Sequence, residues 1–81
     1  MLIICQNREE IINTENVIRI SIQEYKEEYD SGYEIGVDTS DGNYYTLGRY
    51  AEKSTATNEL INISRNYPYE EVYEMLWEWA M

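Results

Sequence analysis

The chain has 81 residues and carries 16 Asp and Glu against 6 Lys and Arg, a formal charge of −10, with no histidine and a single cysteine. That length holds one small core, and a hydrophobic share of 43% is enough to fold it. Excluded at once are an internal disulfide, a histidine-containing zinc set, Ser-His and Cys-His pairs and any imidazole acid–base device; an acid excess of this size also repels nucleic acid.

The first half of the chain reads as strands. Residues 2–5 form a short apolar run, far below the length of a membrane span or a signal-peptide core, so a cytoplasmic protein is expected. Cys5 inside that run reads as a buried thiol. After the polar break at residues 6–9, Ile11 and Ile12 make a second short segment. Residues 17–23 alternate, with Ile18, Ile20 and Ile22 on one face and Arg19, Ser21 and Gln23 on the other. Tyr33, Ile35 and Val37 repeat the alternation, and Tyr45 and Leu47 make a third such strand.

The turn between these last two strands is decided by register. A two-residue Asp41-Gly42 loop sets Val37 opposite Thr46 and Ile35 opposite Gly48. A three-residue loop, Ser40-Asp41-Gly42 with Gly42 left-handed, sets Val37 opposite Tyr45 and Ile35 opposite Leu47. Only the second gathers the apolar side chains, so the bulged loop is expected. Residues 24–32 read as a long acidic hairpin connection. Residues 24–41 hold seven acids against one lysine, and residues 67–81 hold four acids and no base, so the charge excess sits in two blocks.

The second half reads as helices. Ala56, Leu60, Ile63 and Tyr67 fall on one stripe of a first helix, opened by Ser54 or Glu52. Pro68 fits the first position of a second helix, with Glu70 and Glu71 at its positive end. On this helix Tyr69, Val72, Tyr73, Leu76 and Ala80 face one way, broadened by Trp77 and Trp79. The expected architecture is α+β in one domain, residues 1–81. A twisted antiparallel sheet of four to five short strands (residues 1–50) is covered by two C-terminal helices (residues 52–81).

Candidate sites narrow quickly. Gly36, Gly42 and Gly48 match no phosphate-binding spacing, and residues 38–42 lack the ligands of a calcium loop. The triplet Asn62-Ile63-Ser64 lies within the first helix and reads as structural, not as a glycosylation site. No two carboxylates are positioned as a glycosidase pair, and a domain this small has little room for a cleft. No enzyme, metal or cofactor is expected. What remains is a contact surface. Its members are Glu24, Tyr25, Glu27, Glu28, Tyr29 and Asp30 in the first acidic block, and Glu70, Glu74, Trp77, Glu78 and Trp79 in the second. Aromatic rings among carboxylates supply area at low entropy cost beside long-range attraction for a basic partner. Glu70, Glu74 and Glu78, four apart, line one helix face on this reading.

Residues 44–63 carry Thr46-Leu47-Gly48-Arg49-Tyr50 and then Ala56 and Leu60 on a helix, after an opening Met1-Leu2-Ile3-Ile4-Cys5-Gln6. This pattern resembles small uncharacterised proteins of Gram-positive bacteria and their phages, in which a strand ending Leu-Gly-x-Tyr leads into a helix. The resemblance spans about three quarters of the chain and implies a fold, with no catalytic residue transferred. The acidic, Tyr- and Trp-rich C-terminal segment departs from it. Size, charge and element order are also loosely similar to small acidic phage anti-CRISPR proteins.

Two functions follow as expectations. One is a phage-encoded stoichiometric inhibitor, a DNA mimic whose carboxylates occupy the basic nucleic-acid channel of a host defence protein in the host cytoplasm. The alternative is a homo-oligomeric accessory protein, such as a homodimer, in which Trp77, Trp79 and Met81 pack a self-interface and the acids only keep it soluble. Neither needs direct contact with nucleic acid or a membrane.

Overall fold

The computed structural model describes residues 1–67 and 69–76. Its elements run β1 (Leu2–Ile4), β2 (Ile11–Asn13), a 3-10 turn (Thr14–Asn16), β3 (Val17–Lys26), β4 (Ser31–Thr39), β5 (Tyr44–Tyr50), α1 (Lys53–Asn66) and β6 (Val72–Glu74). The class is α+β, as expected. The architecture differs: one helix and two three-stranded sheets, ordered β2-β1-β6 and β3-β4-β5, replace the single sheet and helix pair.

The expected second helix is the larger correction. Residues 72–74 form a strand running parallel to β1, Leu2 opposite Val72 and Ile4 opposite Glu74. The main-chain bonds Leu2 N to Glu71 O (2.8 Å) and Met75 N to Ile4 O (3.0 Å) continue the ladder at each end. A helix here would leave the β1 edge without partners for its amides and carbonyls, an expensive outcome next to a core. It would also stack Glu70 and Glu74 four apart, whereas a strand separates them. Met75 becomes fully buried by this route, a burial that contributes about 1.5–3 kcal/mol. Ala80, Trp77 and Trp79 of the expected helix lie outside the described residues.

The β3-β4-β5 sheet keeps the expected alternation except at two bulges. In β3 the register steps between Val17 and Arg19, so Ile18 is the extra residue. Its side chain turns outward, 72% exposed, and Val17 packs against the core in its place. Ile20 and Ile22 stay inward as expected. The Ser40-Asp41-Gly42 loop forms as read, with Gly42 at φ 89 and Thr39 N bonded to Asn43 O, and Val37 stands opposite Tyr45. A second step between Ile35 and Gly36 then makes Leu47 the extra residue of β5, so Ile35 meets Gly48 instead of Leu47. The bulge points the Leu47 carbonyl away from the sheet, where it accepts from Gln6 N at 2.7 Å and ties the two sheets together.

The helix α1 packs across β3, β4 and β5. Glu52 is its N-cap residue, without a side-chain capping bond. Ala56 and Ile63 are buried as expected and Leu60 partly so; Tyr67 is the C-cap and exposed. One core results, filled from both sheets and the helix by Ile3, Ile35, Val37, Leu47, Tyr50 and Met75 among others. Cys5 is buried in it, as expected. Among the described residues no helix is long and apolar enough to cross a membrane.

Candidate protein-interaction surface

The first acidic block folds back as a hairpin. Strands β3 and β4 stay paired to Lys26 and Ser31, so Glu24 and Tyr25 lie on β3 and only Glu27 to Asp30 form the tip. Glu27 N closes the tip on Asp30 O at 2.6 Å. The expected long loop is therefore a four-residue turn on a strand ladder, which stiffens the acids that it carries.

Opposite the helix, the outer face of this sheet supports the tip with side chains. Arg49, near the end of the edge strand β5, reaches across this face. Its Nη1 is 3.2 Å from Glu27 Oε1, its Nε is 3.5 Å from Glu34 Oε1, and its guanidinium lies 4.4 Å from the centre of the Tyr25 ring. A planar cation suits this triple role because it pairs in plane and stacks on its face. Tyr25 Oη in turn donates to Asp30 Oδ2 at 3.3 Å. Glu34, only 8% exposed, accepts on its other oxygen from Tyr44 Oη (2.7 Å) and Thr46 Oγ1 (3.0 Å). The Tyr44 ring lies across β4 at Gly36, where a Cβ would collide with the phenol. Arg19 and Asp38 pair at 2.8 Å farther along the same face.

These contacts shift the tyrosines. Burial, and then the hydrogen bond and charge of Glu34, push the Tyr44 phenol up to about 12. Burial and the neighbouring Asp30 carboxylate raise Tyr25 as well. Asp41, at the other hairpin, is held below the usual carboxylate range chiefly by the Thr39 hydroxyl that donates to it.

The surface that remains is acidic and carries one bare ring. Glu24, Glu28 and Asp30 have no ion-pair partner among the described residues. Tyr29 at the apex is 92% exposed. Glu28, Asp30 and the Tyr29 ring thus protrude from a tip whose base is cross-linked by Arg49.

The second acidic block does not form the expected row. Glu70 lies just after α1, its N–H bonded to Asn66 O at 2.9 Å. Glu74 lies at the far end of β6, 3.7 Å from Arg8. Gln6 joins that far end to the tip's support, its Nε2 donating to both Arg49 O (3.1 Å) and Leu76 O (3.2 Å). Glu74 is therefore on the tip's side of the small sheet and Glu70 is at the other side. Trp77, Glu78 and Trp79 lie outside the described residues.

Sequence reasoning passed over Glu34, Tyr44, Arg49 and Glu59. Glu59 is 0% exposed and accepts from Tyr73 Oη and, at 2.6 Å, from Leu76 N. Its signal was present, since it stands three after Ala56 and four before Ile63 on the buried stripe. For the other three the signal is cross-strand and exists only once the register is known. Among the described residues no cluster of carboxylates and thiols is arranged to hold a metal ion. Comparison with protein-family models, curated proteins and solved structures found no match.

Proposed function

We propose that this chain is a non-enzymatic binding protein that presents its acidic hairpin tip to the basic nucleic-acid channel of another protein. On this reading it is a stoichiometric inhibitor of the DNA-mimic type, of the kind that phages direct against host nucleic-acid-binding defence proteins. One observation carries the proposal: at the tip Glu28 and Asp30 stand without ion pairs beside a Tyr29 ring that is 92% exposed, and Glu24 on the adjoining strand is unpaired as well. Intramolecular packing gives no reason to expose that ring. A tip held in place before binding loses less entropy on association, and carboxylates at its rim raise the association rate toward a cationic channel.

The test compares the wild-type chain with Glu24→Gln/Glu28→Gln/Asp30→Asn, both immobilised and exposed to a bacterial lysate. The wild type is expected to retain a basic nucleic-acid-binding protein that duplex DNA and added salt both release. Each exposed pair is worth about 0.5 kcal/mol, so the triple variant should bind about tenfold more weakly and with a flatter salt dependence. Retention that DNA does not displace, or equal affinity and salt slope in the two chains, overturns the reading.

A further inference from the structure

We propose that the chain forms a two-fold dimer through the edge of β3, closing an apolar groove between β3 and α1 against a second copy. The inference does not rest on the acidic tip: the turn Glu27 to Asp30 lies at the other end of β3, and of the acids proposed to meet a partner only Glu24 falls within the pairing, opposite Ile18 of the second copy. The groove encloses about 560 Å³ and its wall includes Val17, Ile18, Ile20, Leu60, Ile61 and Tyr67. Ile18, Ile61 and Tyr67 are all exposed large hydrophobic side chains, and their meeting in one place makes a patch of the kind that marks an interface.

The hydrogen-bonding edge beside the groove is open. Strand β3 is an outer strand of its sheet, and among the described residues no bond from another element reaches the outward groups of residues 18–26. The opposite edge is closed, because Gln6 takes Leu47 O, Arg49 N and Arg49 O of β5. A strand added to β3 would place alternate side chains under the overhanging helix, in the groove.

Charge and pattern select a second copy as that strand. No carboxylate lines the groove. Strand β3 holds two bases against one acid, and α1 likewise, in a chain of −10. Two copies therefore repel least when they approach by this face. The β3 sequence is also self-complementary about Ser21: Ile20 of one copy falls opposite Ile22 of the other on the helix-covered face, and Arg19 opposite Gln23 on the outer face. The dimer sheet would have six strands, with the two acidic tips at opposite ends.

Sedimentation equilibrium of the full chain tests this, with Ile18→Glu and Ile61→Glu as variants. Both positions are exposed in one copy, so both variants should fold, as judged by circular dichroism. The wild type is expected at twice 9.7 kDa, with its dimer tightened by salt as acid repulsion is screened. Each variant should weaken the dimer roughly tenfold to a hundredfold, the value of one buried aliphatic side chain. The outward amides of β3 should exchange slowly in the wild type and fast in the variants. A wild type that stays monomeric, or a dimer indifferent to both substitutions, overturns the proposal. So does protection of the β3 amides that appears only when a foreign protein is added, which would assign the groove to that partner's strand.

Discussion

Tyr44 shows how one side chain couples an outer sheet face to the alkaline stability of the fold. Its ring fits because position 36 has no Cβ, and its hydroxyl donates to the nearly buried Glu34. The unfolded chain would release this proton near the ordinary 10.0, whereas the folded protein holds it to about 12. The native state therefore binds more protons in that window. The stabilisation is complete below pH 10 and lost as pH rises toward 12. Tyr25 and Tyr73, both raised by burial and a neighbouring carboxylate, act in the same direction. Replacing Tyr44 by Phe keeps the ring over Gly36 and removes one titration. Its melting temperature is expected to fall less steeply than the wild type's across that pH range in parallel thermal melts. Identical slopes would show that the Tyr44–Glu34 bond does not form in solution.

One of the three-residue strands is fixed by the most buried charge. Strand β6 has three residues and one neighbouring strand, too little to persist alone. Glu59 of α1 holds it by accepting from the Tyr73 hydroxyl and the Leu76 amide, and Tyr50 Oη donates to Leu76 O at 2.9 Å beside it. Arg8 Nη1 donates to Met75 O at 2.9 Å. Removing the carboxylate leaves two donors short of a partner at the core, so Glu59→Ala is expected to cost about 3 kcal/mol by urea unfolding. Tyr73→Phe leaves the Leu76 amide satisfied and should cost about 1 kcal/mol. In both variants the Met75 amide should exchange faster before the rest of the chain opens. Equal stability for Glu59→Ala and wild type would mean that β6 is held by its ladder, by Met75 and by the Tyr50 and Arg8 bonds, without the carboxylate. This strand was hard to read because its periods overlap. Tyr73 and Leu76 satisfy a helical spacing, while Tyr73 and Met75 satisfy the two-residue alternation that the structure uses, over a segment too short to separate them.

Across the whole molecule, repulsion among acids outweighs the ion pairs that relieve it. Arg8, Arg19 and Arg49 pair with Glu74, Asp38, Glu27 and Glu34. These are largely surface pairs worth at most about 1 kcal/mol each, set against a charge of −10 on 81 residues. Salt screens both, and the more numerous like-charge interactions lose more. At neutral pH the melting temperature is therefore expected to rise with added salt in calorimetry. The tip variant Glu24→Gln/Glu28→Gln/Asp30→Asn should start at an equal or higher melting temperature and rise less. A melting temperature that falls with salt would show that the ion pairs dominate.

The amino-acid sequence alone determined the composition of the core strands, the first helix, the three-residue turn at Gly42 and an acidic hairpin connection within residues 24–32, whose tight four-residue tip came only with strand pairing. Each of these is written locally, as a run of alternating apolar residues, a helical stripe or a glycine where φ must be positive. It also determined that imidazole chemistry is absent, because the chain has no histidine. Only the tertiary structure decided that two sheets form, that residues 72–74 complete the β1 sheet, and that bulges turn Ile18 outward and set Ile35 against Gly48. The same holds for Arg49, whose partners Tyr25, Glu27 and Glu34 lie at least fifteen residues away in sequence and are brought to it by strand pairing. The physical reason is common to all of these. An unpaired strand edge or a buried carboxylate is satisfied by whichever partner the fold brings near, and a local pattern does not name that partner.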